Sequence, residues 1–185
     1  MHSLNSMRKH VRQPNLRRNV ENNFNPIDYF TTLAEKNRLC REHGFKVMPC
    51  SGPESIEGLI GEFRKTENFV LVDDTTDNNV HSNKSGFFTK SVYTVWVLAG
   101  YKMGDAESRK KALELCRTIF KQFLAKTLAD KFSGAYRGEM AYLGIERIYY
   151  KELGRYSFNG TTGLYFMIDN DLPTNLVYQA KDWEE

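Results

Sequence analysis

An α+β fold is what this sequence predicts: an antiparallel sheet packed against a long amphipathic helix, with shorter helices before it and an extended arm at the N-terminus. Three observations carry that prediction. Apolar residues recur at helical spacing between residues 106 and 128, a β-rich run extends from Gly86 to Tyr101, and the first 20 residues are basic without a single acid.

Taken in order, residues 1–25 form the arm. They hold Arg8, Lys9, Arg12, Arg17 and Arg18 among Asn, Gln and Ser, and they bury too little apolar surface to offset the entropy of ordering. The arm is therefore expected to be flexible alone and to order against a partner. The chain carries +3 in all and the first 20 residues carry +5, so the remainder sums to −2 and the arm is the electropositive element.

The body is expected to span residues 26–172. Asn25 before Pro26 is the pattern of an N-cap followed by proline at the first helical position, and Ile27, Tyr29, Phe30, Leu33, Ala34 and Leu39 then predict a helix of about four turns. His43-Gly44 ends it. Phe45 to Met48 reads as a short strand, and Ile56, Leu59, Ile60 and Phe63 after Gly52-Pro53 read as a short helix.

Asn68 to Val72 has strand composition, and a polar loop from Asp73 to Ser85 is expected to join it to the run Gly86–Tyr101 as a hairpin. Within that run Phe88, Val92, Trp96 and Leu98 share one face, and Phe87, Tyr93, Val95 and Val97 share the other. Both faces should therefore be covered.

Asp105 is placed to cap the long helix, whose apolar stripe reads Leu113, Cys116, Phe120, Phe123, Leu124 and Leu128, with Lys110, Glu114, Arg117 and Lys121 opposite as a solvated face. It should end near Asp130. Ile145–Tyr150 and Thr162–Ile168 are the last two strands, with Pro173 expected to stop the second and residues 173–185 to form a tail. Trp183 in that tail is expected to anchor on the body or on a partner, since an exposed indole is costly.

With 185 residues the chain is long enough to bury a core without disulfides or metal. The longest apolar run, Val92 to Ala99, is far shorter than the ~20 residues of a membrane span, and no apolar segment follows the basic residues of the arm, so neither a span nor a secretory signal is expected. Cys40, Cys50 and Cys116 are odd in number without paired spacing, which points to reduced, buried thiols and to intracellular synthesis.

The motifs that mark phosphate loops, zinc hydrolases, serine nucleophiles and dinucleotide sites are all absent. Asp73, Thr75, Asp77 and Asn79 have the alternating oxygens that begin a calcium loop, but the turn glycine is missing and Lys84 occupies the place of the closing carboxylate. A solvated loop is the simpler account. No metal, cofactor or catalytic residue is therefore expected. The arm cations Arg8, Lys9, Arg12, Arg17 and Arg18 suit an acidic protein surface or, without sequence preference, nucleic-acid phosphates.

The element order, namely the helix Ile27–Leu39, a strand pair ending in Ser91-Val92-Tyr93-Thr94-Val95-Trp96-Val97, the helix Ala106–Leu128 and the hairpin Ile145–Ile168, resembles the tail-terminator and tail-completion proteins of long-tailed bacteriophages and related head-to-tail connector subunits. The resemblance covers residues 26–172 in element order and includes no invariant motif; the arm and Gly52–Phe63 lie outside it. It implies a structural, non-enzymatic virion subunit, made in the host cytoplasm and closing into a ring at the neck, commonly a hexamer. Its partners would be copies of itself and the adjoining tail-tube and connector proteins. Two other classes remain open from the residues alone: a nucleic-acid-associated accessory protein that uses the arm, and a small enzyme with a dispersed site.

Overall fold

Asn25 and Pro26 start the first helix as their chemistry dictates. In the computed structural model, which describes residues 24–62, 67–136, 138–154 and 160–184, the Asn25 side chain accepts from the backbone N–H groups of Ile27 at 3.0 Å and Asp28 at 3.3 Å. Helix α1 spans Pro26–Lys36. Phe24 already belongs to the core, packed against Tyr29 and Tyr93, so the body begins before the expected boundary at residue 26.

The single helix expected through Leu39 is in fact two. Asn37 leaves the helical region (φ −72°, ψ 126°), closes α1 by donating its N–H to the Leu33 carbonyl, and caps α2, Arg38–Glu42, by accepting from the Cys40 N–H at 3.0 Å. An Asn side chain competes with the backbone for its own hydrogen bonds, and here it ends one helix and opens another.

Strand β1 (Phe45–Cys50), helix α3 (Gly52–Glu62) and strand β2 (Asn68–Asp73) follow. Their register is parallel, Phe45 opposite Asn68 through Cys50 opposite Asp73, a parallel pair at the edge of a sheet that is otherwise antiparallel as expected. A helix between two strands returns the chain to the end from which it started, so the second strand runs in the direction of the first.

A correction concerns the polar segment after β2. Residues Asp77–Asn83 are not loop but strand β3, a hairpin partner of β4, Gly86–Gly100. Nearly all of β3 is exposed on both faces, so it lacks the apolar alternation by which a strand is read, and its pairing to β4 alone defines it.

Helix α4, Ala106–Ser133, is capped by Asp105, whose side chain accepts from the Ser108 N–H at 2.9 Å, and it ends at Gly134 in the left-handed conformation. Leu113, Cys116, Phe120 and Phe123 are buried as expected, but Leu128 is 40 % exposed. The buried stripe continues through Thr127 and Asp130, in alternating steps of three and four from Phe123, and leaves Leu128 on its flank.

The last strands are β5 (Leu143–Glu152) and β6 (Thr161–Thr174), longer than the sequence suggested. Pro173 does not stop β6. It pairs with Phe88 of β4 and sits past the stretch that β5 accompanies, so its missing N–H interrupts no ladder on that side.

The six strands form one mostly antiparallel sheet in the order β1-β2-β4-β6-β5, with β3 joined to the other half of β4. On one face Val70, Val95, Val97, Phe166 and Ile168 pack with Phe30 of α1 and Phe120 and Phe123 of α4. On the other, Leu71, Trp96 and Leu98 pack with Ile56 and Ile60 of α3 and with Leu153. The side chains of Leu59 and Phe63, expected to share that face, lie outside the described residues. Gly163 of β6 lies tight against β4: a Cβ there would stand 2.0 Å from the Val97 carbonyl oxygen, so only glycine fits.

Candidate interaction surface

The charged side of α4 is less idle than its composition suggests. Arg117, expected to be merely solvated, reaches β5 and grips Glu152 through two hydrogen bonds of 2.7 Å, while also contacting Glu114 one turn back. The guanidinium of Arg117 holds the Glu152 carboxyl below its ordinary range. Lys110 and Lys121 remain exposed.

Between the α1–α2 corner and α4 lies a groove of about 370 Å³. Leu33, Phe123 and Tyr136 supply its apolar lining, and Lys36, Arg38 and Lys126 its cations. Asn37 donates to Gln122 at 2.7 Å and links the two walls. At the bottom Asp130, 4 % exposed, accepts from the Tyr29 hydroxyl at 3.0 Å and pairs with Lys126. Burial, first of all, raises the Tyr29 phenol above its ordinary range, so it stays a hydrogen-bond donor.

A second, smaller depression of about 280 Å³ lies where α3 begins, beside Trp96 and Tyr165, whose rings are 4.5 Å apart. Asp73 explains itself there. Its Oδ1 accepts from the Gly52 N–H at 3.1 Å, the Thr75 N–H at 3.0 Å and the Thr75 hydroxyl at 2.6 Å, so it secures the start of α3 and the turn after β2. Of the residues that share its alternating spacing, Thr75 and Asp77 line the same depression, while Asn79 lies further along β3. Among the described residues no group of three or more His, Cys, Asp or Glu side chains is assembled that would hold a metal ion.

The three thiols are buried, and burial pushes Cys40, Cys50 and Cys116 up to about 12. Such groups serve as small hydrophobes and not as nucleophiles.

Two surfaces stand out by what they leave uncovered. The first is a blade made of β3 and the distal halves of β4 and β6. In β4 every residue from 95 to 99 is buried and none from 86 to 94 is, so the strands run on past the core. The blade is laced by His81, which bonds Asp171 at 2.8 Å and stacks on Phe88, and by the pair Lys90–Asp169, and it leaves Val80 and Phe87 about half exposed.

The second is the segment after β6. Leu176, Val177, Tyr178 and Trp183 are exposed by 53 to 73 %, with a short turn at Ala180–Asp182 and the Tyr178 and Trp183 rings stacked on each other at 6.2 Å. Trp183 is thus not buried against the body.

The arm cations Arg8, Lys9, Arg12, Arg17 and Arg18 lie outside the described residues. Among those described, no helix is long and apolar enough to cross a membrane. The blade had no signal in the sequence beyond the unusual length of the β4 run, and the groove had none, because it follows from the break at Asn37. No protein-family model matches the chain, and no curated protein matches its sequence.

Proposed function

We propose that this chain is a structural subunit that associates with copies of itself into a ring at the head-to-tail junction of a long-tailed bacteriophage, ending or joining the tail tube, and that it acts by docking and not by catalysis. The observation that carries the reading is the blade. Strands that run past the core bury little apolar surface, while ordering them costs conformational entropy, so a monomer gains little stability from extending them. Their open edge offers unpaired N–H and C=O groups, which a neighbouring chain satisfies by adding a strand or covering the edge. The exposed Val80 and Phe87 lie on that blade, where such a neighbour would cover them. A surface repeated on every copy and complementary to another part of the same chain generates a closed ring when its rotation closes.

Sedimentation velocity of the purified chain, alone and mixed with tail-tube and connector proteins, tests this. The expected result is a particle whose mass is a multiple of 21.5 kDa, or capture of the chain by one of those proteins. Val80→Asp with Phe87→Asp should weaken that association and leave the circular dichroism unchanged. A chain that stays monomeric alone and in every mixture overturns the reading.

A further inference from the structure

The groove between α1–α2 and α4 and the segment after β6 are complementary in chemistry, yet no described residue after β6 lines the groove. The groove combines apolar walls, Leu33, Phe123 and Tyr136, with a basic rim, Lys36, Arg38 and Lys126. Its volume of about 370 Å³ is in the range of sites that enclose a small organic group. The segment offers the reverse: an indole, Trp183, 67 % exposed, set between the acids Asp182 and Glu184. Residues 175–185 carry Lys181 against Asp182, Glu184 and Glu185, a net −2. The titrating lining of the groove, Lys36, Arg38 and Lys126 against Asp130, nets +2.

We infer that the segment after β6 of one copy docks on a second copy of this chain, with Trp183 seated in the groove between α1–α2 and α4 and with Asp182 and Glu184 against its basic rim. An aromatic anchor filling an apolar pocket, ringed by opposite charges, is the arrangement that supplies most of the binding energy at protein interfaces. The segment does not fill its own groove, since Trp183 stays 67 % exposed and is not among the lining residues, and this leaves the groove open to a second copy. Thr174, the last residue of β6, pairs with Phe87 of the blade, and the segment that follows it keeps its large side chains exposed. A tail-to-groove contact between unlike surfaces is the kind that propagates around a ring. This inference names the partner and contact of the assembly proposed above and rests on that reading.

The test uses the full chain in two variants, each lacking one half of the contact: Trp183→Ala, which keeps the groove, and Lys36→Glu with Arg38→Glu, which keeps the segment. All three positions are exposed, so both variants should fold. Each variant alone should lose association by sedimentation velocity, and mixing them should restore a pairwise complex, because one intact groove then meets one intact segment. In parallel, a fluorescent peptide of residues 175–185 should bind the Trp183→Ala chain and bind the charge-reversed variant at least about tenfold more weakly. Assembly of wild type that persists in both variants, with no peptide binding, overturns the contact and leaves the ring reading standing. A monomeric wild type whose peptide still binds the groove overturns the ring reading and keeps the recognition. Loss of peptide binding to every form, or a Trp183 fluorescence shift in the monomer that shows the segment in its own groove, overturns the inference.

Discussion

The Tyr29 hydroxyl donates to the buried carboxylate of Asp130 at 3.0 Å and thereby ties α1 to α4 across 101 residues of sequence. Lys126 takes the other oxygen of Asp130, and Thr127 lies 3.3 Å from the same hydroxyl, so the carboxylate is satisfied from both helices. Removing the phenol oxygen leaves part of that group unpaired in a site almost closed to water. Tyr29→Phe should cost about 1–3 kcal/mol in urea unfolding. An unchanged midpoint would show that the two helices are held by packing alone.

Phe123 is 1 % exposed and its ring faces Phe30 of α1, whereas Leu128 is 40 % exposed on the flank of the same helix. Phe123→Ala should destabilise by about 3–5 kcal/mol through the cavity it leaves. Leu128→Ala and Lys121→Ala should stay within about 0.5 kcal/mol of the wild type. Comparable losses at Phe123 and Leu128 would contradict the helix orientation described here.

The Arg117–Glu152 pair makes a directional statement about pH. Because the hydrogen bonds from Arg117 lower the Glu152 pKa in the folded chain, the pair's contribution is complete above the ordinary carboxyl value of 4.5 and is lost as pH falls through the lowered one. Glu152→Gln should therefore flatten the acid limb of the stability profile below that value and change its slope little at neutral pH. Thermal melts of both proteins across pH 3 to 7 check this, and parallel acid limbs would count against it.

Deleting residues 1–20 removes five positive charges and no part of the core described above. The body should keep its circular dichroism and its melting temperature. If Arg8, Lys9, Arg12, Arg17 and Arg18 dock on an acidic neighbour, the truncated chain should associate more weakly at low salt, and the difference should shrink as salt rises. Unfolding of the truncated body, or association equal to wild type at every salt concentration, would remove that role from the arm.

The sequence by itself determined the elements whose signal is local. Asn25-Pro26 and Asp105 marked two helix starts, the spacing from Leu113 to Phe123 marked the buried face of α4, and the two-sided apolar pattern at 95–98 marked a strand covered on both faces. Each of these is written in propensity, capping or periodicity over a few residues. What depends on contacts between distant residues was decided only in the tertiary structure. The polar β3 is a strand because β4 lies beside it, β1 and β2 run parallel because α3 returns the chain, and Asp130 is buried because Tyr29 arrives from the other end of the body. The groove and the blade belong to that second class. A concavity or a projecting edge is a relation between elements, and residues such as Lys36 and Lys126, 90 positions apart, share a rim only once packing has brought their helices together.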